Sequence, residues 1–131
     1  MTVLILPSAL CAQIEGEARA VFPRECCGLI EGVRNGQRIE ALTLHPASNL
    51  AEGPDRFEID PAAQFAALRA ARANGREIVG CYHSHPNGAA EPSVRDLAGA
   101  GEEGFVWVIA GVDLRAFVYG DGGFSPVDIG S

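Results

Sequence analysis

The sequence predicts an α+β or α/β/α sandwich fold: one mixed, mostly antiparallel sheet flanked by helices. Three observations carry that expectation. Two stretches repeat apolar residues at helical spacing. Short apolar runs between glycine- and proline-bearing turns read as strands. Helices and strands interleave without a regular βαβ alternation. A length of 131 residues suits a single core, so one domain over 1–131 is expected.

The first strand is expected at 3–6, with Pro7 near the first turn of the helix that follows. Residues 8–22 place Leu10, Ile14, Ala18, Val21 and Phe22 on one face, with Glu15, Glu17 and Arg19 between them. That is an amphipathic helix, ended by Pro23. A strand at 26–33 leads into Asn35-Gly36, a type I′ hairpin signal because both central residues need positive φ. The return strand is expected at 37–45.

Residues 46–55 are polar and turn-rich and read as a loop, followed by a short extended piece at Phe57 and Ile59. Asp60 is the expected N-cap of a second helix, with Pro61 at its first position. Its apolar positions are Ala62, Phe65, Leu68 and Ala71, and Gly75 ends it. A strand at 77–82 delivers the segment His83-Ser84-His85. A short helix at 93–100 and strands at 105–110, 114–119 and 124–129 complete the chain. Gly111-Val112-Asp113 and Asp121-Gly122-Gly123 turn between those last strands.

The formal net charge is −7 with no basic cluster, which argues against nucleic acid as a partner. No stretch is long enough to span a bilayer. The apolar start lacks the Lys or Arg of a secretory signal and is broken by Pro7, so a cytoplasmic protein is expected. The cysteines are Cys11, Cys26, Cys27 and Cys81, with no C-x-x-C. Adjacent Cys26 and Cys27 point to opposite faces of a strand, so reduced, buried thiols are expected.

His83, His85, Ser93 and Asp96 form the pattern H-x-H-x7-S-x2-D. Two imidazoles and a carboxylate are the ligand set of a catalytic zinc, with a fourth position left for water. Strand alternation places His83 and His85 on one face. Ser93 and Asp96 lie one helical turn apart, so Asp96 can supply the third ligand with Ser93 beside it. Ser93 with an acidic residue three later is also an ordinary helix start, and the two readings are compatible. Cys81 shares the face of His83 and His85 and is a rival ligand, which would make the metal structural. His45, before Pro46 at a strand end, reads as a surface or packing histidine. A hydrolase also needs a proton-transferring base. Among many carboxylates Glu25 is attractive, because it sits between the helix-ending Pro23 and a glycine-bearing strand.

Three segments carry a family resemblance: Pro23-Arg24-Glu25-Cys26-Cys27-Gly28-Leu29-Ile30, Gly80-Cys81-Tyr82-His83-Ser84-His85-Pro86 and Ser93-Val94-Arg95-Asp96. They resemble the JAMM (MPN-plus) zinc metallopeptidases, compact prokaryotic type, and Asn49, Phe57 and Asp60-Pro61 resemble that family's middle segment. The resemblance implies a cytidine-deaminase-like α/β/α sandwich. It implies one zinc held by His83, His85 and Asp96, with Glu25 as general acid/base and Ser93 stabilising the oxyanion. It departs at Cys81, where a larger apolar residue is expected. It further implies hydrolysis of a peptide or isopeptide bond at the C-terminal Gly-Gly tail of a ubiquitin-like or sulfur-carrier protein. Two alternatives stand beside that reading. One is an isopeptidase that removes a ubiquitin-like modifier from target proteins. The other is a non-catalytic zinc-stabilised binding module with Cys81 as the fourth ligand.

Overall fold

The computed structural model describes residues 1–53 and 56–131. Its elements run β1 (Val3–Ile5), α1 (Ser8–Val21), β2 (Cys27–Asn35), β3 (Arg38–Ala47), α2 (Pro61–Ala73), β4 (Glu77–Ser84), α3 (Val94–Gly99), β5 (Val106–Ala110), β6 (Leu114–Gly120) and β7 (Gly123–Gly130). The expected elements are all present with shifted ends. The loop expected at 46–55 includes Pro54 and Asp55, which lie outside the described residues.

The sheet order is β1-β3-β2-β4-β5-β6-β7, and β1 pairs with both β3 and β7, so the ladder closes on itself. Pairing is antiparallel for β2–β3, β2–β4, β5–β6 and β6–β7, and parallel for β4–β5 and the two β1 ladders. The mixed, mostly antiparallel sheet flanked by helices is therefore as expected. Closure through three residues of β1 was not legible, because it depends on a pairing between the two ends of the chain.

β2 and β4 are buried on both faces. Ile30, Val79 and Tyr82 join the main cluster with Leu4, Ile39 and Val106, against which Ile14 of α1 packs. Leu29 and Cys81 face the other way, into a second cluster with Ala67 of α2 and Trp107. The alternation that points Cys81 toward that second cluster also points His83 there.

Three local expectations are corrected. The β2–β3 turn is centred on Gly36-Gln37, since Asn35 pairs with Arg38 and only Gly36 has positive φ, at 64°. The type I′ pattern occurs instead at Asp121-Gly122, with φ of 52° and 76°. β3 continues through Pro46 to Ala47. It pairs with β1 only over residues 38–40, so the far end is an edge where a proline is tolerated. In α2 the stripe Ala62-Phe65-Leu68 does not form the buried face: Ala67 and Ala71 are buried, while Phe65 is 71% exposed. Alanines let the helix backbone sit close to the sheet, and the larger residues then rotate outward.

The remaining helix ends follow from side-chain chemistry. Asp60 caps α2, its Oδ1 accepting from the Ala62 amide at 3.0 Å, with Pro61 at the first helical position. No helix among the described residues is long and apolar enough to cross a membrane.

Candidate active site

β4 carries His83 in its ladder, paired to Cys27 on one side and Ile109 on the other, and His85 follows directly after the strand. Their Nε2 atoms lie 3.0 Å apart. The Asp96 carboxylate comes within 3.2 Å of His83 Nε2 and 3.3 Å of His85 Nε2. A tetrahedral zinc with bonds of about 2.0–2.1 Å sets its ligand atoms about 3.3–3.4 Å apart. The three donors thus already stand close to one face of that tetrahedron, and nitrogen and carboxylate donors suit zinc. The residues present fit a metal.

Electrostatics agree with the geometry. Burial pushes the His83 imidazole below its ordinary pKa, toward the neutral form a metal takes. His85 is pulled down by burial but raised further by the Asp96 carboxylate and the Ala89 carbonyl, so it ends above its ordinary value. Burial raises the Asp96 carboxyl, yet His83 and His85 outweigh it and hold the group well below the usual carboxylate range. His85 Nδ1 faces the Ala89 carbonyl at 3.1 Å, the usual outer support of a ligating imidazole.

Ser93 takes the capping role weighed for it and stands beside the candidate site. As N-cap of α3 its Oγ accepts from the Asp96 amide at 3.0 Å, and its own amide donates to Asp96 Oδ2 at 2.8 Å. This capping box fixes the carboxylate that faces the two imidazoles. A hydroxyl that accepts keeps its O–H for another partner. Ser93 lines a cavity of about 460 Å³ together with Glu25 and His85.

Glu25 is buried between α1 and β2. One of its carboxylate oxygens and a ring nitrogen from each of His83 and His85 lie mutually within 4.8 Å. Two devices hold this stretch. Ser84, between the two histidines but on the opposite face, accepts from the Cys26 amide through Oγ at 2.8 Å. Asn49 donates through Nδ2 to the Glu25 carbonyl at 3.0 Å.

Cys81 lies in the apolar cluster with Leu29, Ala67 and Trp107, where burial pushes its thiol well above the ordinary value. Zinc takes a thiolate, so that environment disfavours Cys81 as a ligand. All four cysteines are free, and burial likewise raises the Cys27 thiol to about 12. His45 points away from the histidine pair: its Nε2 lies 2.8 Å from Glu31 Oε1.

Spacing alone did not reveal the aromatic wall. The Phe57 ring stacks on His83, and Trp107 meets the same imidazole edge-on. Both line a second cavity of about 310 Å³ that Asp96 borders, along with Arg56, Glu58 and Gln64. Residue patterning placed Phe57 in an extended piece, the family resemblance alone singled out Asn49, and neither reading gave them a role in the site.

Known proteins resemble this chain over most of its length. The family described as prokaryotic homologs of the JAB domain matches residues 7–119. A desampylase of Haloferax volcanii is 36% identical over 94 residues, covering 71% of this chain and 66% of the relative. The chain therefore spans just under two thirds of that protein. A probable TtuB-protein conjugate cleaving protease of Thermus thermophilus is 34% identical over 122 residues, covering 92% of this chain and 78% of the relative. The solution structure of a Desulfitobacterium hafniense protein superposes with a TM-score of 0.86 at 28% identity, covering 98% of this chain and 91% of that one. The chain belongs to the prokaryotic branch of the JAB domain family.

Proposed function

We propose that this protein is a cytoplasmic zinc peptidase that hydrolyses a peptide or isopeptide bond at the Gly-Gly tail of a ubiquitin-like or sulfur-carrier protein. The observation that carries the reading is the triangle of His83, His85 and Asp96 donor atoms, 3.0–3.3 Å on a side, with the Glu25 carboxylate beside it. Relatives named as a desampylase and as a conjugate cleaving protease support the substrate class.

Zinc held by His83, His85 and Asp96 would supply Lewis acidity toward the attacking water and the scissile carbonyl. Glu25 takes the proton from that water and returns it to the leaving amine. Ser93 donates its O–H to the oxyanion that develops on the carbonyl. The cavity between Phe57, Trp107 and Asp96 receives the extended tail, and glycines suit it because they bring no side chain against its aromatic wall. The space shared by Glu25, His85 and Ser93 is left for the leaving group.

A second reading keeps this chemistry and restricts it to isopeptide bonds joining a ubiquitin-like modifier to target proteins; the relative named for conjugate cleavage favours it. A zinc-stabilised binding module would need Cys81 as fourth ligand, against its apolar surroundings.

The test is zinc content per chain, with turnover of a Gly-Gly peptide joined either to a lysine ε-amine or to an α-amine. Wild type should hold about one zinc. His83→Ala and Asp96→Ala should lose it, while Cys81→Ala and Glu25→Ala keep it. Glu25→Ala should lower turnover by about 10²–10⁴-fold. Loss of metal in Cys81→Ala would favour the binding module, and turnover of the ε-linked probe alone would favour the isopeptidase.

A further inference from the structure

We propose that Asn49 is a positioning residue that ties the main chain of Glu25 to the wall of the tail-binding cavity, so that the two are set in place together. This deepens the hydrolase reading above and rests on it.

The amide of Asn49 uses its whole hydrogen-bonding capacity. Nδ2 donates to the carbonyls of Glu25 and Arg56, each at 3.0 Å. Oδ1 accepts from the amides of Ala51, at 2.9 Å, and Glu58, at 3.0 Å. Two donors and two acceptor positions are all that a carboxamide has. The orientation is forced, since carbonyl oxygens can only accept and main-chain amides can only donate. Aspartate has no donors to offer, and glutamine would place the same group one methylene farther out.

What the four bonds join matters more than their number. Glu25 comes 24 positions before Asn49, whereas Arg56 and Glu58 follow it by 7 and 9. Between those last two sits Phe57, whose ring covers His83. Arg56, Phe57 and Glu58 all line the cavity that Asp96 borders. One side chain therefore holds the main chain of the proposed base and the cavity wall at fixed separation.

A second clamp runs the opposite way. The Arg24 guanidinium donates to the Asn49 carbonyl at 3.0 Å and also to the Ala51 carbonyl. Arg24 keeps residues 49–51 in contact with the segment before β2 even without the Asn49 amide. Loss of that amide thus releases the Glu25 and Arg56 carbonyls without detaching the loop, since the Leu50 amide still donates to the Glu58 carbonyl at 2.8 Å. Glu25 loses one hydrogen bond of positional restraint and residues 56–58 lose two, and displacement of a catalytic group by about 1 Å can cost on the order of 100-fold in rate.

The experiment uses the zinc-loaded protein and a peptide ending in Gly-Gly joined to a lysine ε-amine carrying a fluorophore. Wild type, Asn49→Asp, Asn49→Ala, Glu25→Ala and the double variant Glu25→Ala/Asn49→Ala are compared for kcat, KM and zinc content. Asn49→Asp keeps the two accepting positions, loses both donors and sets a carboxylate oxygen against the Glu25 and Arg56 carbonyls, whereas Asn49→Ala removes all four bonds without adding charge. Both single Asn49 variants should retain zinc, because Asn49 bonds to none of the three proposed ligands and the Leu50 amide still holds the Glu58 carbonyl next to Phe57. Their kcat should fall on the order of 10- to 100-fold. In the Glu25→Ala background the Asn49 change should lower kcat no further, since kcat is affected through Glu25, while a rise in KM that comes from residues 56–58 persists. A structural role alone would lower kcat by the same factor with or without Glu25, and that result overturns the proposal. So does wild-type kcat in both Asn49 variants, or loss of zinc from them. Absence of turnover in wild type overturns the hydrolase reading and this inference with it, an outcome distinct from active wild type with indifferent variants.

Discussion

The Phe57 ring lies on the His83 imidazole with centroids 4.3 Å apart and planes 22° from parallel. His83 Nδ1 is buried and has no hydrogen-bond partner among the described residues. His83 Nε2 faces the Asp96 carboxylate at 3.2 Å, and the rest of the ring is held by packing, from Phe57 on one side and the edge of Trp107 at 5.8 Å on another. His85 is oriented differently, by the Ala89 carbonyl at Nδ1. The two neighbouring imidazoles are held by two unlike supports.

Phe57→Ala should therefore loosen His83 and lower zinc affinity by about 10-fold or more, the usual effect of removing an outer support. Competition with a chromophoric chelator measures it. Affinity equal to wild type would show that the stack does not orient the ligand.

The support of His85 has its own weak point at Gly111. A Cβ there would come within 2.6 Å of the Gly88 carbonyl oxygen and 2.7 Å of the Ala90 amide nitrogen. Both are main-chain atoms, so residues 88–90 must move, and the Ala89 carbonyl moves with them. Gly111→Ala should reduce zinc affinity by about 10-fold. Chelator competition on the folded variant checks this, and a variant that binds zinc as wild type does would refute it.

Gly28 leaves room for the ring of Tyr82 across the β2–β4 pair, and a Cβ would overlap the ring. Tyr82 is fully buried, and its hydroxyl donates to Glu17 Oε1 at 2.7 Å, so the ring has nowhere to turn. Gly28→Ala should destabilise the fold by about 1–3 kcal/mol, read as a lower denaturant midpoint. A midpoint equal to wild type would mean that the ring finds another place.

Glu31 gives the pH dependence. It is fully buried at an irregularity in the ladders of β2. Burial raises its carboxyl, but His45, Asn74 and Arg76 together outweigh that and hold it below the ordinary value of 4.5. The unfolded chain takes up this proton first, so the contribution to stability is complete above about pH 4.5 and is lost as pH falls through the folded-state pKa. Wild-type unfolding free energy should decline with falling pH in that acid range, and Glu31→Gln should flatten the decline. Parallel profiles for the two proteins would assign the acid sensitivity elsewhere.

The sequence marked the candidate ligands because their spacing is local. Two residues apart at the end of a strand, and three apart at the start of a helix, place side chains on one face whatever the rest of the fold does. The N-cap at Asp60, the end of α1 near Pro23 and the strand carrying His83 were legible for the same reason. The buried face of α2 was misread because helical periodicity locates an apolar stripe without saying which stripe the sheet will accept. The small alanines won over Phe65 and Leu68 through close approach. The hairpin at Asn35-Gly36 shifted by one residue because Asn35 completes a pair with Arg38, a register choice set along the whole of β2 and β3.

The sequence by itself determined the fold class, the family and the local pairs of candidate ligands, since these rest on residue type and short-range period. Only the tertiary structure decided that Asp96 meets both imidazoles, that Glu25 reaches them from nearly sixty residues away, and that Asn49 links Glu25 to the segment carrying Phe57. Those relationships depend on the order and register of strands that pair across the chain. The free energy that fixes such pairing is shared over the whole buried core, and no short segment encodes it alone.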